Sequence, residues 1–395
     1  MNDRFRDGMT EATRLTRTGK LAEATALIQR LLGNKGAASA PEPQRGDSST
    51  VIDVEPVRVG VADAPPHREP GPKPRTGLGE TLRRLAARVM PERLVPGADD
   101  TPRPAEPLPD GASFLTGSYA NTAGSRSYKL YVPAGHKGRP LPLVVMLHGC
   151  TQSPDDFAAG TRMNALAEEF GCLVAYPAQT SSANAQKCWN WFSPDDQQRD
   201  RGEPSLIAGI VRQIMRDHPV DASRVYIAGL SAGGAAAAIV AAAYPDLFAA
   251  VGVHSGLPVG AANDLPSAFG AMRKGAKTAG RIARPVPAIV FHGDQDSTVH
   301  PRNAEAVVTQ ATAAATGLRA AVQRGQTPGG HAYSRATHTD ASGRVLCEQW
   351  TVHGAGHAWA GGSPRGTYTD PQGPDAAREM LRFFMEHRHA TAGTA

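Results

Sequence analysis

The amino-acid sequence predicts an α/β protein with a mostly parallel, doubly wound sheet, preceded by an N-terminal helical segment and a flexible linker. Short runs rich in β-branched and aromatic residues alternate with longer segments whose apolar residues recur at helical spacing, which is typical of a parallel sheet covered by helices. The chain has 395 residues, of which 41% are hydrophobic. This length accommodates one core of roughly 250–280 residues together with an appended region.

We expect three parts along the chain. Residues 1–33 form an amphipathic helical segment, because their leucines and isoleucine recur at spacings of three and four. Residues 34–109 have the Pro-, Gly- and Ala-rich composition of a linker that cannot bury a core, with a short basic amphipathic helix near 79–90. Residues 110–390 form the α/β domain.

Within this domain the sequence predicts strands and helices in alternation. The expected strands are residues 128–132, 141–147, 173–176, 224–228, 249–253, 287–291 and 347–352. The expected helices cover residues 163–170, 206–215 and 234–243. The connection 256–285 is too long for an ordinary loop, and we expect it to form a cap or rim near a cleft.

A G-x-S-x-G motif, residues 229–233, stands between the expected strand 224–228 and the alanine-rich helix 234–243. A strand, a sharp glycine turn and a helix form a nucleophile elbow, in which the serine hydroxyl projects at the upper edge of the sheet. We therefore predict that Ser231 is a nucleophile. The alternative is a serine with only a structural role in the turn.

A serine nucleophile needs a base and a third group that orients the base. In sites built on such an elbow, the acid and then the histidine follow the serine along the chain. Two aspartates follow the expected strand 287–291. Asp296 fits the role better, because Asp294 comes so soon after Gly293 that it suits a turn-shaping role.

Two histidines follow the last expected strand, 347–352. His357 lies further out on a glycine-rich loop and can reach over Ser231, whereas His353 sits at the strand end and suits a packing role. The sequence therefore predicts Ser231, Asp296 and His357 as the catalytic residues.

Acyl transfer also needs N–H donors for the oxyanion, each commonly worth about 2.7–4 kcal/mol. One is expected from the backbone of Ala232, directly after the serine, and the other from the loop after strand 141–147. We assign the second donor to the amide of Cys150, with Thr151 as the alternative. His148 is expected to bind nearby backbone and not to act as a second base.

Short motifs are spread over the domain at residues 148–152, 163–167, 176–177, 188–192, 229–233, 254–256 and 356–359. Together they resemble the polyhydroxybutyrate depolymerase family of esterases, whose nearest relatives are feruloyl and acetylxylan esterases. The likeness extends over about residues 127–362. It implies an α/β-hydrolase catalytic domain with Ser231, Asp296 and His357 as its triad and with oxyanion amides on Cys150 and Ala232.

The same resemblance implies hydrolysis of a short-chain hydroxyalkanoate polyester, or of its oligomers, through an acyl-enzyme. A feruloyl or acetylxylan esterase is the alternative among enzymes. A hypothesis from another class is a protein that binds polyester granules and carries a vestigial hydrolase domain. The intact set of Ser231, Asp296 and His357 argues against it.

The chain contains four cysteines. Cys172 and Cys347 fall in expected core strands, where a buried thiol behaves as a small hydrophobe. Cys150 and Cys188 flank the predicted site, and the family resemblance implies that they can form a disulfide. No secretory signal is visible at the N-terminus, so we expect a cytoplasmic, granule-associated protein, with secretion as the alternative. A reducing cytoplasm disfavours a stable disulfide, which leaves the redox state of the pair open.

Three tryptophans lie near the predicted site in the sequence. Trp189 and Trp191 share one loop, and Trp359 comes two residues after His357. Because ligand sites are largely apolar, we predict that these rings line a cleft for the acyl unit, with Trp189 as the first choice. The alternative is that one or two of them cap the core.

Other classes of function have little support. Neither metal-ligand spacing nor a phosphate or dinucleotide fingerprint occurs, so we expect no metal and no cofactor. The net charge is +5, but the basic residues are dispersed, which argues against nucleic acid. No run of about 18 apolar residues predicts a transmembrane span. The N-terminal helices suit contact with a granule surface, the alternative being packing against the catalytic domain.

Overall fold

The computed structural model describes residues 108–135, 138–277 and 279–389. The expected helical segments at 1–33 and 79–90, and nearly all of the expected linker 34–109, lie outside the described residues. The division of the chain into these parts therefore stays a prediction.

The described residues contain a ten-stranded sheet and a separate pair of short strands. The strands are β1 Ser113–Asn121, β2 Gly124–Val132, β3 Leu141–Leu147, β4 Leu173–Pro177, β5 Val220–Leu230, β6 Ala250–His254, β7 Ala288–Gly293, β8 Arg319–Gln326, β9 Ala332–Thr339, β10 Val345–Val352, β11 Trp359–Ala360 and β12 Thr369–Asp370. The order in the large sheet is β1-β2-β4-β3-β5-β6-β7-β10-β9-β8. All neighbours from β4 to β10 in this order pair in parallel, and the pairs at both ends are antiparallel.

Helices cover both faces of this sheet. They are α1 Pro154–Thr161, α2 Met163–Phe170, α3 Gly202–Asp217, α4 Ala232–Ala243, α5 Leu265–Lys274, α6 Arg302–Thr312 and α7 Ala376–Met385. In β3, Leu143 and Val145 belong to one apolar cluster, while Val144 and Met146 belong to another, because successive side chains of a strand point to opposite faces. Helices α3, α4 and α6 contribute to the first cluster, and α1, α2 and α7 contribute to the second. The sheet is therefore doubly wound, as the sequence predicted.

The main difference from the sequence prediction is the hairpin of β8 and β9. It extends the sheet by antiparallel pairing of β9 with β10. Nearly every residue of β8 is exposed, and its sequence, RAAVQRGQ, lacks the apolar alternation that marks a half-buried strand. Pairing with β9 alone makes this segment a strand.

The long connection between β6 and β7 carries helix α5, which lies beside the predicted site. The inner residues of α5, Ala268 and Ala271, share a third apolar cluster with Ala232 and Val299. This position fits the expected rim. No helix in the described part of the chain is long and apolar enough to cross a membrane.

Candidate active site

Ser231 sits in a sharp turn between β5 and α4. Its backbone has φ 57° and ψ −119°, a strained conformation for a residue other than glycine. A Cβ atom at Gly233 would clash with the carbonyl oxygens of Leu147 and His148, so only glycine fits there. The turn is fixed to the next strand by the Ser231 N–H, which donates to the carbonyl of His254 at 2.9 Å.

Asp296 and His357 meet at the same edge of the sheet, in the loops that follow β7 and β10. The two groups are joined by a hydrogen bond of 2.7 Å between Nδ1 of His357 and Oδ2 of Asp296. Oδ1 of Asp296 accepts from the backbone N–H groups of Thr298, at 2.9 Å, and Val299, at 2.8 Å. A carboxylate accepts here, so Nδ1 of His357 carries the hydrogen and Nε2 is left free to take a proton.

A second histidine, His292, supports the carboxylate of Asp296. Its Nε2 lies 2.7 Å from the carbonyl of Val299 and 3.3 Å from Oδ2 of Asp296. Because a carbonyl only accepts, this nitrogen carries its hydrogen and points it at both oxygens. Burial alone raises the pKa of Asp296, but the hydrogen bonds from His292 and His357 outweigh it and lower that pKa below its usual range. Sequence reasoning overlooked His292, although its place four residues before Asp296 was visible.

The alternative acid and base, Asp294 and His353, pair with each other. Oδ2 of Asp294 lies 2.9 Å from Nδ1 of His353, and Oδ1 accepts from the N–H of Gly354 at 2.8 Å. The difference between the two pairs is burial. The side chain of Asp296 is 0% exposed and that of Asp294 is 34% exposed.

His254 connects the serine turn to the loop of His357. Its carbonyl accepts from Ser231, and its Nε2 accepts from the N–H of Ala360 at 2.9 Å. Complete burial is the main cause that lowers the pKa of His254 to about 3. The imidazole is therefore neutral and serves as a fixed acceptor inside the domain.

In the loop after β3, the two candidate oxyanion donors differ in their hydrogen bonds. The N–H of Thr151 donates to the carbonyl of Gln186 at 2.6 Å, whereas that of Cys150 makes no hydrogen bond within the described residues. This difference favours Cys150 over Thr151 as the oxyanion donor. Ala232 is the first residue of α4, so its N–H has no partner within the helix.

A disulfide and the side chain of His148 hold this loop in place. Cys150 and Cys188 form a disulfide with a Cα–Cα distance of 4.2 Å. His148 lies 2.7 Å from the carbonyl of Gly149 through Nδ1, and its Nε2 accepts from the N–H of Gln179 at 3.1 Å. His148 thus binds nearby backbone, and both of its ring nitrogens are occupied.

A buried carboxylate, Glu203, fixes the neighbouring loop that carries Cys188. It accepts from the backbone N–H and the side-chain amide of Asn190, each at 2.8 Å, and also binds Gln179. The guanidinium of Arg126 lies 3.4 Å away and compensates part of its charge. Burial is the main cause that raises the pKa of Glu203. No motif marked this residue, because its partners are distant in the sequence.

The three predicted tryptophans are buried. Trp189 is fully enclosed and donates from Nε1 to the carbonyl of His148 at 3.1 Å, and Trp359 stacks on His254 with ring centroids 4.9 Å apart. Trp191 is 6% exposed and packs in the apolar cluster that contains Ala232. All three rings lack the exposed surface that the predicted substrate contact requires. Their large apolar area instead stabilises the loops around the site.

Comparison with known proteins identifies the family. The model of the esterase PHB depolymerase family matches residues 126–327, about half of the chain. The chain belongs to this family. Membership confirms the resemblance seen in the sequence. Among the described residues of this family member, no group of three or more His, Cys, Asp or Glu side chains could hold a metal ion.

Several relatives are esterases or depolymerases by name. Over 267 residues this family member is 36% identical to poly(3-hydroxyalkanoate) depolymerase C of Paucimonas lemoignei, covering 64% of the present chain and 61% of that protein. It is 31% identical over 200 residues to feruloyl esterase B of Thermothelomyces thermophilus, covering 46% and 67%. The chain therefore spans less than two thirds of the depolymerase.

Among solved structures, acetyl xylan esterase from Aspergillus awamori superimposes with a TM-score of 0.51 at 21% identity. The match covers 70% of this chain and 99% of that one. At this identity the likeness concerns the fold alone. It confirms the α/β-hydrolase fold that the sequence predicted for this family member.

We predict that acid weakens the fold through His148. Burial is the main cause that lowers the pKa of its imidazole to about 4 from the ordinary 6.5, so the unfolded chain binds the proton more readily. Stability attributable to this group is complete above about pH 6.5 and is lost as the pH falls toward about 4, on the order of 3 kcal/mol in all. Urea unfolding from pH 7 to pH 4.5 measures this slope.

The matched variant is His148→Gln, whose amide can accept from Gln179 and donate to the carbonyl of Gly149 without titrating. We expect a shallower dependence of its unfolding free energy on pH than in the unmodified protein. Equal slopes in the two proteins would contradict the assignment.

Proposed function

We propose that the protein is a serine esterase that hydrolyses carboxylic esters through an acyl-enzyme. The observation that carries this proposal is the hydrogen bond of 2.7 Å between Asp296 and His357 at the sheet edge where Ser231 occupies a strained elbow. Family membership supports the same reaction class.

In the proposed reaction, Nε2 of His357 takes the proton of Ser231 as the hydroxyl oxygen attacks the ester carbonyl. The backbone N–H groups of Cys150 and Ala232 stabilise the tetrahedral oxyanion. His357 then gives its proton to the departing alkoxide, and a water molecule activated by the same imidazole releases the acid. Asp296 keeps the imidazole in the required tautomer and stabilises it while it is charged.

The proposed substrate is a short-chain hydroxyalkanoate polyester or its oligomers. Support comes from the depolymerase of Paucimonas lemoignei, which has the highest identity among the relatives described above. A feruloyl or acetylxylan ester is the second candidate, supported by the match to two thirds of feruloyl esterase B. Parallel assays on amorphous polyhydroxybutyrate, hydroxybutyrate oligomers, methyl ferulate and acetylated xylan distinguish these substrates. Faster turnover of the last two would overturn the polyester proposal.

We further propose that the N-terminal segments 1–33 and 79–90 attach a cytoplasmic enzyme to polyester granules. Their basic, leucine-bearing patterns support this idea. The Cys150–Cys188 disulfide supports the alternative of a secreted enzyme, because such bonds persist mainly in oxidising compartments.

We predict that Ser231→Ala abolishes hydrolysis of p-nitrophenyl butyrate, with a fall in kcat of at least about 10³-fold, because the attacking oxygen is removed. The unmodified protein should turn over this ester, and circular dichroism checks that the variant is folded. Absence of turnover by both proteins would instead support the granule-binding protein with a vestigial hydrolase domain.

The two aspartates provide a matched pair of variants. We predict that Asp296→Asn lowers kcat for p-nitrophenyl butyrate by about 10⁴-fold, because the amide favours the wrong tautomer of His357. Asp294→Asn should change kcat less than about threefold, a barrier change of roughly 0.7 kcal/mol. Comparable losses in both variants would show that the acid is wrongly assigned.

Granule attachment is tested by removal of residues 1–100. We predict that the shortened protein no longer sediments with polyester granules in cell fractionation but keeps its activity on p-nitrophenyl butyrate, because the catalytic residues all lie beyond that point. Equal sedimentation of both proteins would refute the anchor, and recovery of the full chain in the culture medium would refute the cytoplasmic location.

A further inference from the structure

A second serine, histidine and aspartate are joined by hydrogen bonds, and two of them lie in the loops that carry Asp296 and His357. The side-chain oxygen of Ser334, in β9, lies 2.8 Å from Nε2 of His353. Nδ1 of His353 lies 2.9 Å from Oδ2 of Asp294. Serine, histidine and aspartate are therefore connected in the order of a nucleophile, a base and an orienting acid. The proposed esterase reaction uses none of these three residues.

The direction of the hydrogen bonds follows from the donors and acceptors present. Asp294 is held as a carboxylate: burial raises its pKa, but hydrogen bonds from His353 and from the N–H of Gly354 more than offset this and lower it. A carboxylate only accepts, so Nδ1 of His353 donates to Asp294. In the neutral imidazole Nε2 then accepts, and Ser334 donates its hydroxyl hydrogen to this nitrogen.

These groups are accessible to reagents. The side chain of His353 is 42% exposed and that of Asp294 is 34% exposed, while Ser334 is partly buried. By contrast, the corresponding side chains of His357 and Asp296 are 9% and 0% exposed. The second series is therefore more exposed to solvent than the first.

A basic residue is the cross-strand neighbour of Ser334. Arg324 of β8 is the residue directly opposite Ser334 in the antiparallel ladder, so the two side chains leave the same face of the sheet. Arg324 is exposed, and its guanidinium makes no ion pair within the described residues. It can stabilise negative charge that develops on a group attacked by Ser334.

We propose that Ser334, His353 and Asp294 form a second nucleophilic centre that reacts covalently with small acylating or phosphonylating reagents. In the reaction with a fluorophosphonate, the oxygen of Ser334 forms a bond to phosphorus as its proton passes to Nε2 of His353. Fluoride leaves, and Ser334 carries a phosphonate ester. With an activated ester, the oxygen of Ser334 instead forms a bond to the acyl carbon. The alkoxide leaves and takes the proton from His353.

The second centre reacts more slowly than the first. Ser334 lies within a strand paired on both sides, by β8 and by β10, so its own backbone amide belongs to the ladder and offers no oxyanion donor. Loss of one such donor commonly costs about 10²- to 10³-fold in rate. We therefore expect phosphonylation of Ser334 at least about 10²-fold slower than that of Ser231.

The test is covalent labelling of the full-length Ser231→Ala protein with an ethyl fluorophosphonate, followed by intact mass measurement and peptide mapping. We expect one added phosphonyl group, located on Ser334. The label should be absent from the protein that also carries Ser334→Ala. When His353→Asn is added to Ser231→Ala, the label should form at least about tenfold more slowly. The asparagine amide can still bind Asp294, but it cannot take the proton of Ser334.

His338→Asn is the matched control, because His338 lies on the same strand and its Nε2 has no hydrogen-bond partner in the described part of the chain. We expect the protein that carries both Ser231→Ala and His338→Asn to be labelled at the same rate as Ser231→Ala alone. Failure of Ser334 to react, or an unchanged rate with His353→Asn, would overturn the proposal.

This outcome is independent of the proposed esterase reaction. That proposal fails if Ser231→Ala leaves ester hydrolysis intact, whereas the second centre is judged only by the label on Ser334.

Discussion

The register of four neighbouring parallel strands is the constraint on which the site depends. Leu230 of β5 pairs with His254 of β6, and Gly293 of β7 pairs with Val352 of β10, so the loops that follow these strands begin at one edge. Asp296 and His357, which are 61 residues apart in the sequence, meet there within hydrogen-bond distance. A slip of one residue in either pairing would turn the strand's side chains to the opposite faces and separate the groups.

Hydrogen bonds of buried polar groups fix the loops relative to these strands. His254 accepts from Ala360 and, through its carbonyl, from Ser231, which fixes the elbow against the loop of His357. His148 holds the loop after β3 through Gly149 and Gln179, and Glu203 holds the neighbouring loop that carries Cys188. A buried polar group costs free energy unless its hydrogen bonds are made, so each of these side chains has a single favoured arrangement. The interior polar contacts thus give the edge that carries Ser231, Asp296 and His357 a geometry that apolar packing alone leaves undetermined.

Much of the fold and of the candidate site was predictable from the order of strands, turns and polar residues along the sequence. The elbow at Ser231 and the loops that carry Asp296 and His357 follow from local patterns and from chain order, and the structure brings Asp296 and His357 together. Contacts between distant segments were not predictable. Glu203 gains its role from Asn190 and Gln179 in a separate loop, and β8 is a strand only because β9 pairs with it. The same limit applies to Trp189, because nothing local shows that its Nε1 donates to the distant carbonyl of His148.

Two Asp–His pairs arise from the same two loops, with nitrogen–oxygen distances of 2.7 and 2.9 Å. The distances within the two Asp–His pairs therefore do not distinguish the two proposed nucleophiles, Ser231 and Ser334. The backbone differs: Ser231 lies in a strained turn before a helix N-terminus, and Ser334 lies in a regular strand. In the proposed reaction the turn supplies the N–H of Ala232 to the oxyanion, and preorganised donors of this kind are usually the largest contribution to catalysis. We therefore expect the backbone turn, more than the relay of side chains, to distinguish the proposed catalytic serine, Ser231, from Ser334.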